Sequence, residues 1–301
     1  MKKLYGTVVP IVTPFDESGK IDVGSLKNLA EYIIESGLQC IYPCGTTGEM
    51  CLLSEDERKL VVETVVRQVN HRIPVFAQVG AMTEKETVEL ARHAVKTGCD
   101  GIGVVTPIYF QISDRGLVDF YVRVAQSVPS DFPVYLYGIP QNAVNDISFQ
   151  VAQEVAARCP NIVGMKYSYP DMTRLQEFML INQETFSVLV GPDHLFQAVV
   201  AAGGDGVVSG NAMVLAEHYR EIWKALQAGE WDVARKIQRR TNVLNRILCE
   251  KNNISAYKVM LREKGILCFA AVRAPLENLS VEEERDLIER MRELDYTRVI
   301  G

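Results

Sequence analysis

The segment Ile162-Val163-Gly164-Met165-Lys166-Tyr167-Ser168 reads as a buried β-strand with a lysine in its apolar interior. Pro160 and Pro170 bound the segment, and no acidic residue lies within it. A lysine is almost never fully buried without a partner or a purpose. Burial favours the neutral amine, and a neutral amine is a nucleophile that can attack a ketone. The alternatives are a side chain that reaches solvent from the strand end, or an ion pair with a carboxylate from elsewhere in the fold.

Eight β-rich runs, this one included, recur through the first two-thirds of the chain with helical segments between them. They cover residues 6–13, 40–45, 74–80, 101–107, 133–139, 162–168, 186–191 and 206–211. A strand followed by a helix, repeated eight times, is typical of an α/β fold of the TIM (β/α)8 barrel type. A doubly wound open sheet is the alternative, but no Gly-rich dinucleotide loop follows the first run. Because a barrel has no free edge, Pro10 predicts a bulge or an irregular first strand.

Local signals support the helices between these runs. Capping boxes begin at Ser54 and Thr83, each with a glutamate three residues later. Glycines stand just past three predicted helix ends, where a left-handed residue is favoured: Gly37, Gly98 and Gly203.

After residue 211 the pattern changes to helix alone. Helices are predicted over residues 212–229, 231–249, 254–264 and 281–294. We expect the first to close the barrel, so that residues 1–229 form the (β/α)8 barrel and residues 230–301 a C-terminal helical subdomain. Four apolar residues of the second helix are expected to pack together on one face: Trp231, Val233, Ile237 and Val243.

Composition excludes several classes of function. The 301 residues are 48% hydrophobic and 23% charged, with a formal net charge of −6. This charge balance does not indicate binding to nucleic acid or to an anionic membrane. The N-terminal residues lack the apolar core of a signal peptide, and no run is long enough to span a bilayer. Seven cysteines and four histidines show no metal-binding spacing. We expect a cytoplasmic protein with reduced cysteines and no metal.

Reactive residues of such a barrel come from the carboxyl ends of its strands. The ends of strands two, four and five carry Gly45-Thr46-Thr47-Gly48-Glu49, Thr106-Pro107-Ile108-Tyr109 and Tyr137-Gly138-Ile139-Pro140. Strand six contributes Lys166, and strand seven ends in Gly191-Pro192-Asp193. A lysine, two hydroxyl-rich loops and two tyrosines are therefore predicted to converge on one mouth.

These motifs carry a resemblance to a known family. The Gly-Thr-Thr-Gly-Glu loop, the Tyr-x-x-Pro after strand five and the Gly-x-Lys in strand six occur in order and on the right strands. In these motifs, and over essentially its whole length, the chain resembles the dihydrodipicolinate synthase / N-acetylneuraminate lyase family of class I aldolases.

The resemblance implies a role for each matching residue. Lys166 would form a Schiff base with pyruvate or another 2-oxo acid, so that no separate cofactor is needed. Gly45, Thr46 and Thr47 would hold the carboxylate of that acid with backbone N–H groups and hydroxyls. Tyr137 would shuttle protons, with Thr46 as its neighbour in the relay. Each has a structural alternative, since the threonines could cap a turn and Tyr137 could be a barrel-rim tyrosine.

The resemblance also implies partners. A second tyrosine reaches the family's active site from an adjacent subunit, and Tyr109 occupies the matching position. The active form would then be at least a dimer, and usually a homotetramer made of two dimers. The small-molecule partners would be pyruvate and an aldehyde.

We expect Glu49 to cap the following helix rather than to take part in acid–base chemistry.

The second substrate depends on where the chain departs from the family pattern. Synthases usually carry an arginine five residues after the Tyr137 position, and this chain has Asn142, which cannot pair bidentately with a carboxylate. The synthases' regulatory lysine pocket also lacks its usual residues, with others in their places: Glu55, Arg58, Met82 and Ile108.

Polar groups suited to a polyol are present instead. Ser168 matches a threonine of sialic acid lyases, and Asp193 matches an acidic residue that they use for sugar hydroxyls. With Asn142 and Gly191 these residues make up the expected substrate-binding set. The sequence therefore favours an aldolase or lyase acting on a 2-keto-3-deoxy sugar acid. The alternatives are dihydrodipicolinate synthase, which joins pyruvate to aspartate semialdehyde, a Schiff-base dehydratase or hydratase-aldolase, and a non-catalytic sensor of 2-oxo acids, which the intact lysine, tyrosine and threonine set argues against.

Overall fold

The computed structural model describes residues 3–182 and 185–299, and eight parallel strands form one sheet within them. The strands are β1 Gly6–Pro10, β2 Cys40–Tyr42, β3 Phe76–Gln78, β4 Gly101–Val105, β5 Val134–Gly138, β6 Ile162–Tyr167, β7 Ser187–Val190 and β8 Gly206–Val208. β2 and β3 lie at the two ends of the strand order, and a parallel bridge between Ile41 and Val75 joins them. The fold is therefore the predicted (β/α)8 barrel with helices at its C-terminal end.

Every residue of the eight strands is buried, because one face of the sheet lines the barrel and the other lies beneath the helices. The barrel interior holds a cluster that mixes aromatic and aliphatic side chains: Leu4, Val8, Cys40, Tyr42, Phe76, Tyr135, Val163, Leu189 and Val208. A smaller cluster at the mouth includes Val105, Tyr137, Ile139 and Ala143. Burial on both faces explains why the strands appear in the sequence as continuous apolar runs.

The prediction of an irregular first strand is wrong. β1 pairs with β2 from Val8 to Pro10 and with β8 from Gly6 to Val8, without a shift in register. The carbonyl of Val8 accepts a hydrogen bond from the N–H of Ser209, just after β8. Because the backbone groups of successive strand residues point to alternate sides, the nitrogen of Pro10 also points toward β8. The pairing with β8 ends at Val8, so Pro10 lies beyond the end of that ladder. Pro10 therefore removes no ladder hydrogen bond. The register shift that does occur lies between β5 and β6, at Val134 and Tyr135.

Helices connect the strands as the capping signals predict. They are α1 Val23–Glu35, α2 Glu55–Val69, α3 Glu84–Thr97, α4 Asp114–Gln126, α5 Pro140–Ala143, α6 Phe149–Arg158, α7 Met172–Phe178 and α8 Phe196–Ala201. Both predicted capping boxes are present, at Ser54 with Glu57 and at Thr83 with Glu86. Gly98 ends α3 with a φ of 88°, the left-handed conformation predicted for it.

Up to residue 299, four helices follow the barrel strands: α9 Ala216–Gln227, α10 Trp231–Leu248, α11 Asn253–Glu263 and α12 Val281–Glu293. The first begins later than predicted because a 3-10 turn occupies Asn211–Met213. The predicted apolar face of α10 is wrong in part, since Trp231 and Val243 are 42% and 50% exposed while Ile237 is buried. The buried face instead follows the spacing of three and four residues through Ala234, Ile237, Thr241, Leu244 and Leu248. None of the helices among the described residues is long and apolar enough to cross a membrane.

Candidate active site

Lys166 lies near the carboxyl end of β6, and strand register sets it beside Tyr137 of β5. The residue is only 7% exposed. Its Nζ lies 3.8 Å from the centroid of the Tyr137 ring and 5.3 Å from that of Tyr42. Among residues 3–182 and 185–299, no carboxylate lies within ion-pair distance of this amine. The lysine is thus held by aromatic faces rather than by a counter-charge, and its nitrogen is available for chemistry.

Tyr137 and Thr46 make the contact expected of a proton relay. Their hydroxyls are 3.2 Å apart, and Tyr137 is almost fully buried. The Tyr137 side chain therefore contacts the Lys166 amine with its ring and the Thr46 hydroxyl with its phenol hydroxyl. A phenol needs such a neighbour to exchange protons near neutrality, because its ordinary pKa is near 10.

The loop after β2 is a tight turn held by its own backbone. The N–H groups of Gly48 and Glu49 donate to the carbonyls of Gly45 and Thr46 at 3.0 Å in both cases. Thr13 donates to the Gly48 carbonyl at 2.8 Å from the neighbouring strand end. No hydrogen bond among the described residues uses the N–H of Thr46 or Thr47. Two backbone donors and the hydroxyl of the half-buried Thr47 therefore remain for an anionic ligand.

Ser168 and Gly191 meet where β6 and β7 end. A Cβ on Gly191 would lie 2.2 Å from the Ser168 hydroxyl and 2.7 Å from the Ser168 Cα, and because the Cα is backbone only glycine fits there. Gln141 donates from its side-chain amide to the Ser168 carbonyl at 2.8 Å and connects the loop after β5 to β6. Sequence reasoning missed Gln141, although its position next to Pro140 in the Tyr-x-x-Pro loop was a signal.

Asp193 is surrounded by donors from its own chain. Tyr219 and Asn211 donate to its carboxylate at 2.6 and 3.0 Å, and Ser209 donates as well. Burial raises the pKa of this carboxyl. The predicted contact of Asp193 with a substrate hydroxyl stays a prediction, and it would have to use the lone pairs that these donors leave.

Asn142 and Tyr109 lie at the exposed periphery of the mouth. Asn142 is an exposed residue of α5. Tyr109 is 74% exposed, has a positive φ of 78° and packs edge-on against Phe110, which is 72% exposed. Tyr109 thus lies outside the cluster around Lys166, and its role in a neighbouring subunit stays a prediction.

Two buried features were not foreseen from the sequence. The expectation that Glu49 caps the following helix is wrong. Glu49 precedes the 3-10 turn Met50–Leu52 with a left-handed backbone, and its side chain makes no cap hydrogen bond. Its carboxylate instead pairs at 2.5 Å with Lys258, 209 positions later in the chain. Tyr42 contacts Lys166 through its ring, while its buried hydroxyl has no partner among the described residues. Tyr42 precedes the Gly-Thr-Thr-Gly-Glu loop on β2, and that position was the available signal.

The four residues that depart from the regulatory lysine pocket also come together. A cleft of about 200 Å³ is lined by Glu55, Arg58, Met82 and Ile108, and it includes neither Lys166 nor Tyr137. Arg58 is almost fully buried there and donates to the carbonyls of Gly80 and Gln78. These four residues thus line one cleft that is separate from Lys166.

Comparison with known proteins decides the family. The model of the dihydrodipicolinate synthetase family matches residues 3–294. The chain belongs to this family. It is a carbon–carbon lyase of a family of Schiff-base pyruvate aldolases, whose members use a lysine and no external cofactor.

Individual relatives agree over the whole chain. The 4-hydroxy-tetrahydrodipicolinate synthase of Aquifex aeolicus (strain VF5) is 35% identical over 287 residues, which cover 95% of this chain and 96% of that protein. The crystal structure of dihydrodipicolinate synthase from Aquifex aeolicus superposes with a TM-score of 0.92 at 34% identity, covering 98% of this chain and 99% of that one. The Ruminococcus gnavus sialic acid aldolase catalytic lysine mutant gives a TM-score of 0.93 at 26% identity, with 98% of each chain covered.

Proposed function

We propose that Lys166 forms a Schiff base with pyruvate and that the resulting enamine adds to an aldehyde. The observation that carries this proposal is the buried amine of Lys166 against Tyr137, whose hydroxyl contacts Thr46. The amine attacks the keto carbon, the carbinolamine loses water, and the iminium draws electrons from the adjacent methyl group. Loss of a proton from that methyl group gives the enamine, and its carbon forms the new bond to the aldehyde carbon. Hydrolysis of the product iminium returns the free amine.

Protons must move at the carbinolamine hydroxyl and at the alkoxide that the aldehyde becomes. Tyr137 can deliver a proton at both stages because its hydroxyl is within hydrogen-bond reach of Thr46. The free N–H groups of Thr46 and Thr47 supply the donors for the carboxylate of pyruvate. In this arrangement the same loop binds the substrate and completes the relay.

The second substrate that we favour is aspartate semialdehyde, which makes the reaction that of a 4-hydroxy-tetrahydrodipicolinate synthase. Relatives of that name match over nearly the full length of both chains at 35% and 33% identity. The sialic acid aldolase, at 26% identity, supports the family alone. The comparisons thus favour the alternative over the sugar acid that the sequence indicated.

Asn142 keeps the sugar acid as a second candidate. It stands exposed on α5 where a guanidinium would be needed to pair with the carboxylate of aspartate semialdehyde.

A panel of aldehydes assayed with pyruvate decides between the two candidates. If aspartate semialdehyde is the substrate, its kcat/KM exceeds that of every polyhydroxy aldehyde, whereas the reverse order supports the sugar acid. Asn142→Arg should raise kcat/KM for aspartate semialdehyde by roughly tenfold if this position faces its carboxylate.

Trapping with borohydride tests the Schiff base itself. Reduction in the presence of pyruvate should fix a three-carbon adduct on the peptide that contains Lys166, as mass spectrometry would show. The peptide that contains Lys258, the second lysine that is buried among the described residues, is the internal control and should stay unmodified. Lys166→Ala should lose turnover by about 10³-fold or more with the fold intact, because it removes the nucleophile. An unmodified Lys166 peptide in the active enzyme would disprove the mechanism.

We also propose that Tyr109 acts in the active site of an adjacent subunit, in a dimer or a tetramer of two dimers. Its exposed ring and its separation from the cluster around Lys166 support this assignment. Lys166→Ala and Tyr109→Phe, each poorly active alone, are unfolded together and refolded as hybrids. A hybrid dimer then contains one site with both residues intact, and activity should return to roughly a quarter of the wild-type value. No recovery from hybrids of verified composition would show that Tyr109 does not act across the interface.

A further inference from the structure

A second buried lysine lies close to the substrate loop, and the mechanism does not use it. Lys258 of α11 and Glu49 of the loop after β2 are both fully buried, with Nζ 2.5 Å from the carboxylate. Removing two charges from water is costly, and their attraction offsets this only if further hydrogen bonds satisfy the remaining donors and acceptors. The surroundings of this pair meet that condition.

The remaining hydrogen-bonding groups of both residues are used. Lys258 also donates to the carbonyl of Ala271 at 2.6 Å, and its ammonium lies 4.3 Å from the centroid of the Phe15 ring. The other oxygen of Glu49 accepts from the N–H of Arg273 at 2.8 Å. Both ends of the ion pair are thus held by charge-assisted hydrogen bonds, which fix direction as well as distance.

The backbone of Glu49 transmits this constraint to the substrate loop. Glu49 has φ 61° and ψ 35°, a left-handed conformation that a non-glycine residue adopts only at a cost of roughly 1–2 kcal/mol. Its N–H donates to the carbonyl of Thr46, so the position of Glu49 closes the turn that contains Thr46 and Thr47. Since the side chain is anchored on both oxygens, the turn cannot relax without breaking the buried pair.

Arg273 holds the other side of the same segment. Its guanidinium donates to the Leu52 carbonyl at 2.9 Å and to the Glu57 carboxylate at 2.6 Å. The short 3-10 turn Met50–Leu52 therefore lies between two contacts with the chain that follows α10, one through Glu49 and one through Arg273.

We propose that the Glu49–Lys258 pair is a positioning device through which α11 sets the geometry of the Thr46–Thr47 loop for the substrate carboxylate. This inference rests on the proposed function, in which that loop binds pyruvate. Glu49 and Lys258 touch no reacting atom in it, and they act by holding the turn.

The test separates positioning from stability. Either residue removed alone leaves a buried unpaired charge, so the informative variant is the double substitution E49Q/K258M, which removes both charges. Should thermal unfolding show that this variant does not fold, E49Q/K258Q, with two amides able to bond each other, replaces it. R262M/E284Q is the matched control, because Arg262 and Glu284 form an ion pair between α11 and α12 at 2.7 Å, away from the loop.

The readout is the pyruvate dependence of borohydride trapping at Lys166. In the folded double variant we expect the half-saturating pyruvate concentration to rise about tenfold or more, while trapping at saturating pyruvate stays within about threefold of wild type. The control pair should leave both quantities within about twofold. An unchanged pyruvate dependence in the folded double variant overturns the positioning role. If wild type itself forms no adduct, it is the proposed function that fails.

Discussion

Tyr137 combines two contacts that the proposed chemistry needs on one side chain. The face of its ring lies 3.8 Å from the Lys166 amine, and its hydroxyl lies 3.2 Å from that of Thr46. Removing only the hydroxyl would therefore leave the packing around the lysine in place. This separation makes the role of the relay measurable.

For Tyr137→Phe we expect kcat to fall by roughly 10²–10⁴-fold, because the group that exchanges protons with the intermediates is lost. Thr46→Val should have a smaller effect, and the double variant should lose less than the product of the two, since both act in one relay. Steady-state kinetics of the three variants would measure this. Wild-type turnover in Tyr137→Phe would remove the residue from the relay.

Tyr135→Phe is the matched control on the same strand. The Tyr135 hydroxyl accepts a hydrogen bond from the Leu4 N–H at 2.7 Å in the barrel interior. Its removal leaves that buried donor unsatisfied, which should lower the free energy of unfolding by about 1–3 kcal/mol without changing kcat. Urea denaturation and the same kinetic assay would separate the two tyrosines.

At the scale of elements, the seam between β1 and β8 depends on the glycine that begins β8. Gly6 pairs with Gly206, and a Cβ on Gly206 would lie 2.1 Å from the Gly6 carbonyl oxygen. The obstacle is backbone, so no side-chain rotation can relieve it. The barrel thus closes here only because Gly206 carries no side chain.

Gly206→Ala should therefore lower the free energy of unfolding by about 3 kcal/mol or more, because the strands must separate. Gly229→Ala is the control, since its φ of 74° is strained for alanine but no heavy atom lies within 4 Å of the added Cβ. That change should cost only about 1–2 kcal/mol. Equal urea midpoints for the two variants would contradict the steric account of the seam.

At the scale of the whole molecule, stability should depend on pH through His218. The residue is 1% exposed on α9, and its Nε2 has no hydrogen-bond partner among the described residues. Burial lowers the pKa of His218 from 6.5 to about 4, and the charges of Arg240 and Lys264 act in the same direction. Between pH 6.5 and about pH 4, His218 is protonated in the unfolded chain and neutral in the folded protein.

The stabilisation from neutral His218 is therefore complete above the unfolded pKa and is lost as pH falls toward the folded one. From pH 7 to pH 5 the free energy of unfolding should drop by about 2 kcal/mol through this residue, given the two pKa values. Urea denaturation across this range would measure it. In His218→Leu the free energy of unfolding should fall less between pH 7 and pH 5 than in the wild type, by the contribution of His218. An identical pH dependence of stability in both proteins would contradict the assignment.

Particular residues show how far sequence reasoning reached. Lys166, Tyr137 and Thr46 could be predicted to meet because the carboxyl ends of barrel strands converge whatever their separation along the chain. The donors around Asp193 could not be predicted, nor could the Tyr42 hydroxyl, which lacks a partner in the part of the chain that the structure describes, since each depends on side-chain direction and on neighbours from distant segments. The predicted strands were also longer than the observed ones.

The amino-acid sequence by itself determined the eight strand–helix units, the helix caps and the lysine on the sixth strand. These features follow from periodicity and from local hydrogen bonding, which act over a few residues. Only the tertiary structure decided what Glu49 does, because its partner Lys258 lies on a helix outside the repeat and the pair forms only when that helix packs on the loop. Such a contact produces no periodic pattern in the sequence, because it depends only on which distant residues are buried close to each other.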